Sequence, residues 1–277
     1  MKRLVSLLFF LSLSLAASAK SSIIWQIKSI PMQTTKGQIF LEALLVTPGD
    51  QQQHPVVLIN HGSPRDAKER SLMSALAYLP IAKQFALRGY AVAVVLRRGY
   101  GRSGGGWVEA YDRCSHPDYL RAAHAAAEDL RAVIQYLGQL PAFDCTNIVA
   151  VGYSAGGFAT LALTAFKPPK GLKAAVVFAP GRGSYAPEKI CEPQRLIAAF
   201  AQLGKTSRIP MLWIYAKNDH FFNPKLAKSL FAAFTANGGK AQFLSAKAFA
   251  KEGHFLFSTA GISRWTVIVD NYLASIK

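Results

Sequence analysis

The stretch VAVGYSAGGFATLAL, residues 149–163, places a serine between a strand-like run and a helix-like run. The residues before Ser154 are those of a buried strand, and the small and apolar residues after it are typical of a buried helix. Gly152 and Gly156 flank the serine in the pattern Gly-x-Ser-x-Gly. A sharp strand–turn–helix connection forces its central residue into an unfavourable backbone conformation, so the neighbours must be small. The stretch predicts a serine positioned as a nucleophile, with a purely structural turn as the alternative.

The same pattern occurs a second time at residues 101–105, where Ser103 is central. This match lies beyond the preceding strand-like run and continues into Gly106 and Trp107, without a helical pattern directly after it. Glycine and serine are common residues, so the pattern alone is a weak signal. We therefore interpret residues 101–105 as a loop and take Ser154 as the candidate nucleophile.

Apolar runs rich in β-branched residues alternate with longer helical patterns along the chain. The predicted strands cover 23–30, 40–46, 56–60, 91–96, 148–151, 174–178, 211–215 and 241–244. The predicted helices cover 79–88, 117–137, 155–166, 224–236 and 262–275. Strands that are apolar without alternation are typical of sheets covered on both faces. The pattern predicts an α/β fold with a mostly parallel eight-stranded sheet, helices on both faces, and the first two strands as an antiparallel edge.

The N-terminus has the pattern of a secretory signal peptide. Lys2 and Arg3 precede an apolar run at 4–15, and residues 17–19 form an Ala-Ser-Ala cleavage site. The apolar run is shorter than the ~20 residues that a membrane span needs. We expect a signal peptide at 1–19, a single domain at 20–277, and a periplasmic or secreted protein without stable membrane insertion.

The formal charge is +17, or +15 without Lys2 and Arg3. The basic residues are scattered, the longest run of the mature chain is Arg97-Arg98, and no nucleic-acid-binding motif is present. This distribution argues against a nucleic-acid partner. The sequence also contains no metal-ligand cluster, phosphate loop or cofactor motif, so we expect neither metal nor cofactor. An anionic partner, such as an acidic polysaccharide or a negative cell surface, remains an alternative.

A serine nucleophile needs a base, and the base needs an acid that orients it. After a turn of this kind, the acid precedes the histidine along the chain. Two histidines follow Ser154, His220 and His254, and Asp219 is the single aspartate between Ser154 and His254. His220 is adjacent to Asp219 and too close along the chain to be oriented by it. We predict a triad of Ser154, Asp219 and His254 at the carboxyl edge of the sheet, where ligands bind in such folds.

Acyl transfer also needs N–H donors for the negative charge that develops on the carbonyl oxygen. Ala155, the residue after the nucleophile, is expected to supply one donor from its backbone. The second is expected from the loop after the strand 56–60, which continues as HGSP at 61–64. Ser63 is the candidate because proline has no N–H. His61 precedes the nucleophile in the chain, and we interpret it as a brace for this loop.

With these motifs the sequence resembles the α/β-hydrolase superfamily over essentially the whole mature chain. The resemblance rests on NHGS at 60–63, RRGYGRS at 97–103, GYSAGG at 152–157, ND at 218–219 and GH at 253–254. Within the superfamily the chain is similar to exported dienelactone hydrolase-like proteins and prolyl-oligopeptidase-type hydrolases. It departs from true dienelactone hydrolases, because Ser154 stands where their nucleophile is cysteine, and it lacks the propeller domain of large prolyl peptidases. The resemblance implies an ester-type hydrolase on the α/β-hydrolase fold.

Two insertions after predicted strands are expected to form a small cap over the active edge. They cover 99–119 and 180–194 and contain Cys114 and Cys191, respectively. Cys145 comes just before a strand, at the opposite edge of the sheet and so beyond the ~7 Å Cα reach of a disulfide. Because export allows disulfides to form, we predict a Cys114–Cys191 bridge and a free Cys145.

Side chains in and beside these insertions are candidates for the wall of a substrate pocket: Arg98, Trp107, Tyr111 and Arg182. Arg98 or Arg182 is a candidate for binding a substrate carboxylate, with a structural salt bridge as the alternative.

The sequence therefore predicts an exported serine hydrolase that cleaves carboxylic esters through an acyl-enzyme. The substrate is expected to be a small-molecule ester or a decorated polysaccharide. A serine peptidase or amidase of prolyl-oligopeptidase type and a non-catalytic binding protein on the same fold are the alternatives.

Overall fold

The computed structural model describes residues 22–276, and the predicted signal peptide at 1–19 lies outside the described residues. Eight strands form the main sheet: β1 (Ile23–Thr34), β2 (Gly37–Pro48), β3 (His54–Asn60), β4 (Ala91–Val95), β5 (Phe143–Tyr153), β6 (Leu172–Phe178), β9 (Met211–Ala216) and β10 (Ala241–Ala246). Two short strands, β7 (Ser184–Ala186) and β8 (Lys189–Ile190), form a separate hairpin.

The order across the main sheet is β1-β2-β4-β3-β5-β6-β9-β10. β2 pairs antiparallel with both β1 and β4, and all other neighbours in the sheet are parallel. The predicted antiparallel edge and the mostly parallel eight-stranded sheet are therefore confirmed.

Helices cover both faces of the sheet: α1 (Ala67–Ser71), α2 (Leu79–Ala86), α3 (Tyr119–Leu137), α4 (Ala155–Ala165), α5 (Pro193–Gly204), α6 (Pro224–Ala236) and α7 (Ile262–Ser275). On β3, Val57 and Ile59 belong to the core that contains Trp265 of α7, whereas Leu58 belongs to the core that contains Leu130 of α3. Successive strand residues thus enter opposite cores, which explains the absence of polar alternation in the strands. No helix among those described combines the length and apolarity needed to cross a bilayer.

The helix α5 was not predicted from the sequence. It begins at Pro193, a favoured first helical residue, and buries Leu196, Ala199, Phe200 and Leu203 along one face. This spacing is a helical signal. Assigning residues 180–194 to an insertion concealed it, because the helix begins inside that range.

The two insertions meet in a cap that carries a disulfide. Cys114 and Cys191 are bonded, with Cα atoms 4.7 Å apart and a sequence separation of 77. The Tyr119 hydroxyl donates a hydrogen bond to the Cys191 carbonyl oxygen and attaches α3 to the same corner. Cys145 is free and partly buried, and burial raises the pKa of its thiol to about 11.

Candidate active site

Ser154 lies on a strained turn between β5 and α4. Its backbone has φ 55° and ψ −121°, outside the regions that L-residues favour. A Cβ atom on Gly152 would lie 2.3 Å from Thr160 Oγ1, and one on Gly156 would lie 2.1 Å from the Asn60 carbonyl oxygen. The glycines of the pattern thus stand where strand, helix and the end of β3 approach too closely for a side chain.

The structure brings Ser154, His254 and Asp219 into one hydrogen-bonded chain. The distance from Ser154 Oγ to His254 Nε2 is 3.0 Å, and that from His254 Nδ1 to Asp219 Oδ2 is also 3.0 Å. Their exposed fractions are 8% for Ser154, 2% for His254 and 1% for Asp219. A carboxylate beside Nδ1 favours the tautomer protonated there, which leaves Nε2 free to accept the serine proton.

The loop after β9 fixes both oxygens of the Asp219 carboxylate. Oδ1 accepts the backbone N–H groups of Phe221 (2.8 Å) and Phe222 (2.9 Å), while Oδ2 faces the histidine. The Phe221 ring stacks on the His254 ring, with centroids 4.1 Å apart and planes 5° apart. The Phe221 ring therefore fixes the plane of the imidazole, and the Asp219 carboxylate fixes the direction in which Nδ1 points.

Glu252 joins the loop of the acid to the loop of the histidine. Its Oε1 accepts the backbone N–H groups of His220 (3.0 Å) and His254 (2.9 Å), and its Oε2 lies 3.2 Å from His220 Nδ1. The Asn218 side chain ties the same loops together by accepting the Phe249 N–H at 2.9 Å. Sequence analysis did not find this role for Glu252, although its place two residues before His254 is a signal for it.

The predicted oxyanion donors Ser63 and Ala155 line the same pocket as Ser154. The loop after β3 runs against the serine, since a Cβ on Gly62 would lie 3.3 Å from Ser154 Cβ. Over residues 22–276, neither the Ser63 N–H nor the Ala155 N–H donates a hydrogen bond to a protein group. Both are thus available to a ligand bound beside Ser154.

Two other motif residues hold loops in place. The buried His61 places Nδ1 2.6 Å from the next residue's carbonyl oxygen, and its Nε2 accepts the Arg97 N–H at 3.1 Å. Burial, reinforced by the Arg97 charge, lowers the pKa of His61 well below its usual value and keeps the ring neutral. Ser103 is buried, accepts the Glu42 N–H at 2.9 Å and donates to the Leu96 carbonyl oxygen at 2.6 Å. Its hydroxyl secures a loop.

A pocket of about 180 Å³ opens beside Ser154. Its wall includes three of the predicted residues, which are Trp107, Tyr111 and Arg182. It also includes residues that sequence analysis did not select, among them Arg65, Arg70, Tyr185 and Phe221. The sequence could have indicated these residues by their position, because they follow the carboxyl ends of strands. In the described chain, no three His, Cys, Asp or Glu side chains are grouped to hold a metal ion.

The prediction that Arg98 lines the pocket is wrong. Its Nε donates to Asp129 Oδ1 at 2.5 Å, and its Nη2 lies 2.9 Å from Glu128 Oε2. Both carboxylates belong to α3, so the guanidinium is directed at that helix, and Arg98 is not among the residues that line the pocket. The alternative of a structural salt bridge holds for Arg98.

A buried ion cluster supports the pocket from behind. Glu109, which is fully buried, pairs with Arg97 and with Arg182, whose Nη1 lies 2.8 Å from Glu109 Oε2. Burial alone would raise the pKa of Glu109, but the charges of Arg97 and Arg182 outweigh it and lower the pKa to about 2. Glu109 is therefore ionised at neutral pH, and the cluster carries two positive charges for one negative charge.

An eight-stranded sheet of this order, helices on both faces and a serine on the turn after β5 define the α/β-hydrolase class. Residues 56–272 match the family model described as alpha/beta hydrolase family. The chain therefore belongs to the alpha/beta hydrolase family, as its motifs predicted. No curated protein sequence shows a significant match to the chain.

Solved structures share the fold at low sequence identity. The Pyrococcus furiosus esterase Pf2001 has a TM-score of 0.61 and 14% identity, with 91% of this chain and 90% of that chain covered. Propionate-bound esterase 2 of Thermogutta terrifontis has a TM-score of 0.64 and 16% identity, with 91% and 94% covered. A putative dienelactone hydrolase from Klebsiella pneumoniae has a TM-score of 0.60 and 16% identity, with 90% and 98% covered.

Proposed function

We propose that the protein is an exported serine hydrolase that cleaves carboxylic esters through an acyl-enzyme intermediate. The observation that carries this proposal is the chain of 3.0 Å contacts from Ser154 Oγ through His254 to Asp219, beside a pocket. The esterases among proteins of the same fold support an ester as the substrate.

In the first half of the reaction, Ser154 Oγ bonds to the ester carbonyl carbon while His254 Nε2 accepts the hydroxyl proton. The carbonyl oxygen becomes an oxyanion that receives hydrogen bonds from the Ala155 and Ser63 N–H groups. His254 then gives its proton to the alcohol oxygen, the carbon–oxygen bond to the alcohol breaks, and the acyl group stays on Ser154. Asp219 stabilises the imidazolium and fixes its orientation.

In the second half, a water molecule replaces the alcohol. His254 takes a proton from the water as its oxygen bonds to the acyl carbon, and the same N–H donors stabilise the second oxyanion. The bond to Ser154 Oγ then breaks, His254 returns the proton to the serine, and the carboxylic acid leaves. The enzyme returns to its starting protonation state, and one water is consumed per ester.

Two observations support export to the periplasm or the medium. The first is the signal-peptide pattern of Lys2, Arg3, an apolar run and Ala-Ser-Ala. The second is the Cys114–Cys191 bridge, since structural disulfides persist in oxidising compartments. N-terminal sequencing of the exported protein is expected to begin at Lys20.

The triad is tested by replacing its nucleophile. Ser154→Ala is expected to lower kcat for p-nitrophenyl butyrate by at least about 10³-fold and to abolish labelling by a fluorophosphonate probe. Ser103→Ala is the matched control, because it removes the other serine of the same sequence pattern and should retain labelling. Undiminished turnover by Ser154→Ala would refute the assignment.

The same experiments separate the rival functions. A non-catalytic binding protein would not react with the fluorophosphonate, because its serine would lack activation. A peptidase or amidase would turn over aminoacyl amides at rates comparable with the matching esters. We expect labelling at Ser154 and turnover of esters only.

A further inference from the structure

The pocket beside Ser154 has a strongly one-sided charge. Three arginines line it, Arg65, Arg70 and Arg182, and none of the described residues that line it is acidic. A pocket that binds neutral esters needs few fixed charges. The positive charges of arginines that line one small pocket repel one another unless an anion binds among them. The arrangement therefore points to a ligand that carries negative charge.

Arg65 is held at the mouth of the pocket by neutral groups. Its Nε and Nη2 donate to the carbonyl oxygen (3.2 Å) and the hydroxyl (2.8 Å) of Ser184. Its guanidinium lies over the Phe221 ring at 3.9 Å, and Phe221 is the residue that stacks on His254. No carboxylate within residues 22–276 pairs with Arg65. Arg65 is a positioned cation whose contact with the reacting groups runs through the Phe221 ring.

Arg70 is a second cation without a protein anion. Its guanidinium lies over the Trp107 ring at 3.8 Å. In the described part of the chain, its side-chain N–H groups donate no hydrogen bond and it has no salt-bridge partner. Stacking on tryptophan orients the planar group while leaving its N–H donors free, which suits an incoming carboxylate.

Arg182 makes the back of the pocket positive as well. It is 5% exposed and shares Glu109 with the fully buried Arg97. His61 is neutral, so the two arginines of this cluster are balanced by one carboxylate, and a net charge of one remains. The Nε of Arg182 is buried without a hydrogen-bond partner among the described residues, although buried N–H groups of charged side chains are nearly always paired.

We propose that the substrate of the hydrolase is an ester that carries a carboxylate a few bonds from the scissile group, bound by Arg65 and Arg70 at the mouth of the pocket. This inference rests on the proposed function. A pocket of about 180 Å³ is small, which keeps the carboxylate near the ester. Guanidinium groups bind carboxylates through paired, charge-assisted hydrogen bonds. Tyr111 and Tyr185, which also line the pocket, provide apolar contact for the carbon chain.

The experiment compares two pairs of esters that differ only by one charge. The first pair is p-nitrophenyl hydrogen adipate and p-nitrophenyl methyl adipate, which places the charge on the acyl side. The second is para-butyryloxybenzoic acid and its methyl ester, which places the charge on the alcohol side. Each kcat/KM is divided by the hydroxide-catalysed rate of the same ester, and the charge preference is the ratio within a pair.

We expect a charge preference of at least about tenfold for one pair, since a charge-assisted hydrogen bond is worth that factor or more. Arg65→Gln and Arg70→Gln should each lower this preference by about fivefold or more, and added salt should lower it further. Arg264→Gln is the matched control, because Arg264 is also exposed, stacks over Phe249 and donates to a carbonyl oxygen, yet does not line the pocket.

Equal turnover of the charged and neutral members in both pairs, or variants with an unchanged preference, would overturn the inference and leave the proposed function standing. Failure of the proposed function looks different, because no ester would be turned over and Ser154 would not be labelled. A loss of folding in a variant lowers both members of a pair alike, so the preference still reports on the charge.

Discussion

Asp219→Asn is a sharp perturbation of the hydrogen-bonded chain because the structure dictates which way the new amide points. Oδ1 of Asp219 accepts the N–H groups of Phe221 and Phe222, and the asparagine oxygen can take over only that position without leaving donors unpaired. The amide NH₂ must then face His254 Nδ1, 3.0 Å away in the native protein. An NH₂ donor there forces the His254 proton onto Nε2, which can no longer accept the proton of Ser154.

The magnitude follows from the cost of turning the amide over. Reversing it would leave two buried N–H groups without an acceptor, at about 1–3 kcal/mol each. The competent tautomer is therefore disfavoured by about 2–6 kcal/mol, and each 1.36 kcal/mol is about tenfold in rate. We expect kcat of Asp219→Asn to fall by about 30-fold to about 10⁴-fold.

The assay is steady-state turnover of p-nitrophenyl butyrate together with the rate of fluorophosphonate labelling. Both should fall by the same factor, while the unfolding midpoint changes little because Oδ1 keeps its two backbone partners. Asp270→Asn is the matched control, since Asp270 is exposed and pairs with Arg88. If Asp219→Asn retained more than about a tenth of the activity, Asp219 would not be the residue that orients the base.

Two further predictions concern stability. Replacing both Cys114 and Cys191 by serine should lower the free energy of unfolding by about 4 kcal/mol, because the bridge spans a sequence separation of 77; urea denaturation that gives equal stabilities would contradict this estimate. The pKa of Glu109 is lowered to about 2 in the folded protein. Ionised Glu109 therefore contributes its full amount to the free energy of unfolding above its ordinary pKa, and this contribution is lost as the pH falls toward 2. Between about pH 5 and pH 2, the free energy of unfolding of the wild type should therefore fall by up to about 3 kcal/mol more than that of Glu109→Gln. Parallel pH profiles of the two proteins in urea titrations would show that Glu109 is not held ionised.

The sequence was most informative where burial on both faces of the sheet dictates residue type. All eight main strands were predicted, because runs such as residues 91–96 have no polar position. The ends were less predictable: β1 extends to Thr34 and β2 begins at Gly37, since a hairpin continues pairing into polar residues. The missed helix α5 shows the opposite error, in which a regular pattern was concealed by an assumed insertion.

The proximity of Ser154, Asp219 and His254 was predictable, because parallel strands end at one edge of the sheet and the loops that follow them lie side by side. The residues of the pocket wall were not predictable in the same way, because they depend on the direction in which each side chain points. Arg97 and Arg98 are adjacent in the chain, yet Arg97 pairs with Glu109 of the insertion 99–119 and Arg98 with Asp129 of α3. Both look equivalent in the sequence, and only tertiary packing separates them.

One tyrosine connects the oxyanion loop to the pocket wall. The Tyr100 hydroxyl lies 2.9 Å from Ser63 Oγ and 3.2 Å from Glu109 Oε2, and it accepts the Trp107 Nε1–H at 3.2 Å. The hydroxyl has one proton and two lone pairs, so it can donate to Glu109 while it accepts from Trp107 and from the Ser63 hydroxyl. Because Glu109 is ionised by its arginine neighbours, a change of charge behind the pocket alters the hydrogen bond at the oxyanion loop. The guanidinium of the rim residue Arg70 contacts this network through Trp107, so charge selectivity is more easily changed there than at Arg182 without disturbing the loop beside Ser154.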